Sequence, residues 1–329
     1  LGRHPIKPEE DVMTKLDLLR SRTAIGTAAL AALAIAWAQP ATAATPAKID
    51  KIGLMVQDMS NPFFSAMNKG AKEAATKIGA TLNTQDAQLD LANQNMQIDA
   101  FIQQGVNLIV VSAVDEAGIE PAIQRAKEAG IIVIAVDTPA HGADAVIMTN
   151  AVQAGEKSCD YLFQQMGGKG QVLLVDGTPI QTIIDRIAGC RNVAKNYPGI
   201  KIVGQQASKN DRASGLAVTT DMLTANPDVT GIFGMNDPSA LGAVLAVEQA
   251  DKSKQIKVTG VDGSPEAVAE LKRAGSPFIG SATQNPAEMV RRAVEIAQDM
   301  TAGKAPAEKT ILIPSVLVTR DTVKDYAGW

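Results

Sequence analysis

The runs Leu108-Ile109-Val110-Val111 and Ile131-Ile132-Val133-Ile134 decide the fold. Neither alternates apolar with polar residues, so each suits a strand buried on both faces, as central strands of a parallel sheet are. Between them, Ile119 to Ala129 has apolar residues at helical spacing and is followed by Gly130, a helix-ending signal. Strand, helix and strand in that order form a parallel crossover unit, and repeated units place helices on both faces of one sheet.

The same rhythm extends in both directions. Upstream, the pattern predicts a strand over Lys51 to Gln57, a loop to Asn61 and a helix through Phe64, Met67, Ala71, Ala74 and Ile78 that stops at Gly79. Pro62 suits the first turn of that helix. A strand over Thr81 to Thr84 and a helix from Asp90 to Gln104, closed by Gly105, come next. After Asn150 the pattern restarts, with helices predicted at 155–166, 180–196, 213–224 and 239–250 and strands at 171–175, 201–206, 231–234 and 257–261. About nine such units exceed one modest sheet, so the chain reads as an α/β protein of two similar lobes.

Before residue 45 the composition is different. Lys15, Arg20 and Arg22 precede an apolar run from Thr23 to Trp37 and the small-residue pattern Ala41-Thr42-Ala43, which reads as an export signal starting at Met13 behind an upstream extension. The run is shorter than the roughly 20 residues that span a bilayer. Setting aside residues 1–43 removes five basic and four acidic residues and takes the net charge from −4 to −5. A mildly acidic chain without a Lys/Arg cluster has no electrostatic grip on a phosphate backbone, so nucleic acid is not an expected partner. Cys159 and Cys190 form an even pair; in an oxidising compartment they are a candidate disulfide, the alternative being two small buried hydrophobes on separate helices.

In open α/β sheets ligands bind beyond the carboxyl ends of the strands. The residues there are polar: Asn61, Ser112 and Asp137 in the first half and Asn236 and Asp262 in the second, with Arg186 and Gln284 near helix starts. Carboxylates accept from hydroxyls while Asn, Gln and Arg donate to them, which suits a polyol, and Phe63 and Phe64 offer packing for its carbon skeleton. Any one of these positions, taken alone, is better explained as a helix cap or turn former, and it is the set of them that points to a ligand. His141 has no neighbouring Cys or second His, and Asp86 with Asp90 lacks the calcium-loop spacing, so neither a metal nor a cofactor is expected. Gly167-Gly168-Lys169-Gly170 precedes a predicted strand instead of following one, which makes it a helix-ending turn and not a phosphate cradle.

Four segments in this order, Ser60-Asn61-Pro62-Phe63-Phe64, Ile134-Ala135-Val136-Asp137, Met235-Asn236-Asp237 with Leu241-Gly242-Ala243, and Gly260-Val261-Asp262-Gly263, resemble periplasmic sugar-binding proteins of the ribose-binding type. The resemblance covers about Ile49 to Val318. It implies two doubly wound parallel-sheet lobes joined by a three-segment hinge, with lobes at 48–149 plus 284–313 and at 150–283 plus 314–329. It also implies sugar contacts from Asn61, Phe63, Phe64, Asp137, Arg186, Asn236, Asp262 and Gln284. Thr138 stands where ribose binders have arginine, Asn210 and Val261 where they place aromatic rings, and Ser112 where they have an amide, so Ser112, Thr138 and Asn210 are the positions expected to set ligand identity. With fewer rings and one guanidinium less, the expected ligand is another pentose, a tetrose, a hexose or a linear polyol.

The function expected from these features is capture of a small sugar or polyol in the periplasm and delivery to a membrane-embedded ABC permease, by a monomer. A sensory role toward a chemoreceptor or sensor kinase uses the same closure. A sugar-responsive repressor would open with a basic helix-turn-helix, where this sequence carries the export-signal pattern. A glycosidase reading would pair Asp137 with Asp262, but an open polar cleft gives no reason for the raised pKa that a general acid needs, so no enzyme is expected.

Overall fold

The computed structural model describes residues 48–326 and 328–329. The export signal and upstream extension expected over 1–43 lie outside the described residues. The first sheet is built from β1 (Lys51–Val56), β2 (Thr81–Asp86), β3 (Leu108–Val111), β4 (Ile132–Val136), β5 (Ala145–Thr149) and β11 (Thr310–Ile313). Its order is β11-β5-β4-β3-β1-β2, and every pairing is parallel. Ile52 pairs with Leu108 and Leu108 with Ile132, so the two apolar runs that decide the fold lie side by side near the middle of this sheet. Helices α1 (Pro62–Ile78), α2 (Leu91–Gln104), α3 (Glu120–Glu128) and α9 (Pro286–Thr301) cover it.

The second sheet repeats the plan with β6 (Lys169–Asp176), β7 (Gly199–Ala207), β8 (Val229–Gly234), β9 (Lys257–Asp262), β10 (Phe278–Thr283) and β12 (Leu317–Thr319). Its order is β12-β10-β9-β8-β6-β7, parallel except for the antiparallel edge strand β12. Helices α4 (Ala151–Gln165), α5 (Gln181–Ala194), α6 (Arg212–Ala225), α7 (Asp237–Gln249) and α8 (Pro265–Lys272) cover this sheet. The chain passes between the sheets after Thr149, between Thr283 and Pro286, and between Ile313 and Leu317. This is the architecture of two doubly wound α/β lobes expected from the sequence. Each lobe has an apolar layer on both faces of its sheet, with Leu54, Val110 and Ile134 on one face of the first sheet and Met55, Ile109 and Val133 on the other.

Local chemistry sets the element ends. Asn61 caps α1 by accepting from Phe63 N–H at 3.0 Å, with Pro62 in the first turn, and Gly79 closes the helix at φ 70°. Asp90 caps α2 in the same way through Asn93 N–H. Strand β6 begins inside the glycine run, at Lys169, because Gly170 already pairs with Ile200 of β7. Periodicity overlooked β5, α8, β10, β11 and β12, which are short or carry Gly, Ser and Thr among their apolar residues. Among the described residues no helix is long and apolar enough to cross a membrane.

Helices α4 and α5 are in direct backbone contact, and glycines make this possible. A Cβ at Gly155 would come within 2.0 Å of the Arg186 carbonyl oxygen, and one at Gly189 within 2.1 Å of the Val152 carbonyl oxygen. The approach brings the Cα atoms of Cys159 and Cys190 to 5.1 Å, and the two residues are joined as a disulfide closing a 31-residue separation. Reduction is expected to lower the urea unfolding free energy by about 3 kcal/mol through the freed loop. Gly155→Ala is expected to lower it by about 2 kcal/mol or more through overpacking. Urea melts with and without reductant test both, and unchanged midpoints would mean that the α4–α5 junction does not limit stability.

Candidate functional site

All strands of the first sheet and all but β12 of the second run parallel, so their carboxyl ends collect along one edge of each lobe, and the polar residues gather there. Asp262 ends β9, and its carboxylate is held on both oxygens. Oδ1 accepts from Gln284 Nε2 at 2.8 Å and from Arg186 Nη1 at 3.5 Å, and Oδ2 accepts from the Asp237 N–H at 3.2 Å. Arg186, on α5, also donates through Nη1 to the Met235 carbonyl at 3.0 Å. Only 5% of Arg186 is exposed, and its Nε is buried without a hydrogen-bond partner among the described residues.

From the first lobe, Asp137 follows β4 and reaches the same charge. It is 7% exposed. Its Oδ2 has only long contacts, from Ser112 Oγ at 3.3 Å and Thr138 Oγ1 at 3.4 Å. Burial pushes Asp137 up to about 6; the Arg186 guanidinium pulls it down, and the Asp262 charge pushes it up again. Burial likewise raises Asp262, against the pull of Arg186. The site is therefore not the open polar cleft expected from the sequence, and both carboxylates sit above their ordinary range. Both also carry positive φ, 64° at Asp137 and 143° at Asp262, a backbone cost of about 1–3 kcal/mol each.

Asp137, Arg186, Asp262, Gln284 and Ser112 thus form one buried polar group. The other candidates are engaged differently. Asn61 and Asn236 both spend their side-chain oxygen on caps, Asn236 on the Ser239 N–H at 2.9 Å, and Asn236 Nδ2 donates to the Asn210 carbonyl at 3.0 Å. Asn210, at φ 66°, accepts from the Thr178 N–H at 2.9 Å and ties two loops together. Thr138 is fully buried and accepts from Gln57 Nε2 at 2.8 Å. Phe63 and Phe64 belong to the first lobe's core and meet edge-on at 5.3 Å.

Several supporting residues escaped the reading of strand ends. Gln57, immediately after β1, bridges Thr138 and the Ala113 carbonyl. Gln94, wholly buried, donates to the Ser112 carbonyl and accepts from the Val114 N–H. Asp237 accepts from Ser281 Oγ at 2.6 Å and from the Ser264 N–H at 2.8 Å, and burial together with the Asp262 charge pushes it up to about 7. Asp237 stands beside the singled-out Asn236, but its inward orientation comes from the turn of α7 and has no sequence signal. Among the described residues no group of three or more His, Cys, Asp or Glu is placed to hold a metal ion.

The periplasmic binding protein domain family matches residues 52–305. The chain is similar to the ribose import binding protein of Bacillus subtilis (strain 168), 30% identical over 287 residues that cover 86% of this chain and 92% of that protein. Among solved structures it is similar to an ABC transporter periplasmic solute binding protein from Actinobacillus succinogenes with bound D-allose, at 29% identity and a TM-score of 0.80, over 84% of this chain and 100% of that one. It is also similar to a solute binding protein from Mycobacterium smegmatis with bound glycerol, at 27% identity and a TM-score of 0.80, over 86% and 98% of the two chains. With a parallel-sheet lobe on either side of a buried carboxylate and guanidinium group, and with these relatives along most of its length, the chain belongs to the periplasmic binding protein family, in its ribose-binding type.

Proposed function

We propose that this chain binds a small monosaccharide or polyol between its lobes and hands it to a membrane-embedded ABC permease. The observation that carries the reading is the convergence of Asp137 from one lobe with Arg186 and Asp262 from the other, with the Arg186 Nε buried and without a partner among the described residues. A ligand hydroxyl can accept from that N–H and donate to Asp137, satisfying groups that the protein leaves poorly bonded. The similar proteins named for ribose, or solved with D-allose or glycerol, support the ligand class. Asn61 and Gln284 complete the set of amide donors, with Phe63 and Phe64 behind Asn61. Ser112, Thr138, Asn210 and Asn236 shape the walls through the loops they hold. Closure bends the crossings near Thr149-Asn150, Thr283-Gln284 and Pro314-Ser315, and the protein works as an exported monomer in the periplasm.

Binding, and not catalysis, is the role we assign to the two carboxylates despite their raised pKa values. Asp262 is already held by Gln284, Arg186 and the Asp237 N–H, which leaves it an acceptor in a fixed position and not a mobile acid. Release of nitrophenol from a nitrophenyl glycoside, abolished in Asp262→Asn, would overturn this assignment.

A thermal-shift panel of D-ribose, D-allose, myo-inositol, xylitol and glycerol identifies the ligand class, with at least one stabilising shift expected. For the compound that binds, Asp137→Ala is expected to weaken affinity by about 2 kcal/mol, because a buried hydroxyl loses its acceptor. Unchanged affinity in calorimetric titration would put the ligand elsewhere. The pH dependence has a definite sign. A hydroxyl donating to Asp137 favours the ionised form and lowers a pKa that stands at about 6 without ligand. The complex then holds fewer protons than the free protein, so affinity rises with pH through this window and levels off above it. Titrations at about pH 5 and about pH 7.5 should differ by up to about tenfold, tighter at the higher pH, and equal affinities would remove Asp137 from the ligand shell.

A further inference from the structure

We propose that Trp329 is a positioning residue that holds the two lobes together from the hinge side, an inference that rests on the binding role proposed for the cleft. Its indole Nε1–H donates to the main-chain carbonyl of Asp262 at 2.8 Å. Its ring meets that of Phe63 edge-on, with centroids 5.8 Å apart and planes at 86°. Asp262 ends β9 of the second sheet, whereas Phe63 lies in the first turn of α1 on the first sheet. One side chain therefore grips both lobes, at the main chain of one candidate ligand residue and the ring of another, and it makes both contacts only while the lobes are together.

The same short segment is rooted in the second lobe by Tyr326, which packs against that lobe's core and donates its hydroxyl to the Gly263 carbonyl at 3.0 Å. Gly263 has φ 70°, and a Cβ there would come within 2.7 Å of the Tyr326 hydroxyl, so the glycine gives the tyrosine its seat. Trp329 instead packs against the core of the first lobe. Tyr326 and Trp329, three positions apart, are thus anchored on opposite lobes.

Trp329 also faces a cavity of about 770 Å³ between the lobes, lined by Ser65 and Lys69 of α1, Glu266 of α8, and Gln284 and Pro314 of the crossings. Gln284 lines this cavity and also donates to the Asp262 carboxylate. With its ring on Phe63 and its N–H on Asp262, the indole shields both from the cavity. Truncating it would loosen closure and admit water behind the site without deleting any group assigned to the ligand.

The test uses the full chain with spin labels on cysteines introduced at Ala117 and Ile184, exposed residues on opposite lobes, leaving the Cys159–Cys190 disulfide intact. In the ligand-free protein, Trp329→Ala is expected to move the interlobe distance distribution to longer values. Trp329→Phe, which keeps a ring against Phe63 and loses the N–H, should move it less. Far-ultraviolet circular dichroism confirms that each variant is folded, and the phenylalanine variant decides the question if the alanine variant does not fold. With D-ribose, D-allose, myo-inositol and xylitol as probes, affinity for any that binds should fall about tenfold in Trp329→Ala, mainly through faster dissociation. In a Trp37→Phe background, where Trp329 is the sole tryptophan, the bound probe should also shift the emission. An unchanged distance distribution overturns the positioning role. If no probe binds the parent chain, the ligand reading fails, while the distances still decide the role of Trp329.

Discussion

Arg186 holds a full positive charge where water reaches almost none of it, and the arrangement of the site follows from the need to offset that charge. Asp262 answers it from the same lobe and Asp137 from the other, so the electrostatics of one lobe are complete only in the presence of its partner. The balance is uneven. Burial raises both carboxylates, their mutual repulsion opposes the pull of the guanidinium, and one guanidinium N–H is left over among the described residues. A small molecule with several hydroxyl groups can both donate to the carboxylates and accept from that N–H, which is the chemical basis of the proposed binding role.

Holding such a group in place demands a stiff frame. The carboxylates stand on turns with positive φ at the ends of buried strands, a conformation that persists only where the surroundings enforce it. In the second lobe the enforcement comes from Asp237, Ser281 and the Gly263 N–H, linked in a buried chain of hydrogen bonds. In the first, Gln57 and Gln94 tie the loops after β3 and β4 to each other and to α2. Arg186 itself is carried by α5, which the Gly155 and Gly189 contacts and the Cys159–Cys190 bond fix against α4. The disulfide therefore lies behind the guanidinium that organises the cleft.

How much of this was legible follows from what each residue type can signal. Buried strands announce themselves as unbroken apolar runs, and 108–111 and 131–134 did so. Polar residues at strand ends and near helix starts are equally visible, Asp137, Asp262, Asn61 and Asn236 by the first signal and Arg186 and Gln284 by the second. Asn61 and Asn236 spend their side-chain oxygens on helix caps, the use that the sequence favours for either position taken alone. Strand β5 and the final strands went unread, because three to six residues with interspersed Thr, Ser or Gly carry too little periodicity to stand out.

By itself, the sequence determined the α/β class, the two-lobed repeat and the strand ends at which polar residues gather, because hydrophobic period and strand-end position are properties of neighbouring residues in one chain. Tertiary structure alone decided that Asp137 faces Arg186 and Asp262 in a place dry enough to raise the carboxylates, that Cys159 meets Cys190, and that Trp329 reaches both lobes. Those facts depend on distances between residues that are 31 to 266 positions apart in sequence, and no local pattern encodes them. Desolvation, too, is a property of the assembled surroundings: a carboxylate at the end of a strand reads the same in sequence whether water covers it or a second lobe does.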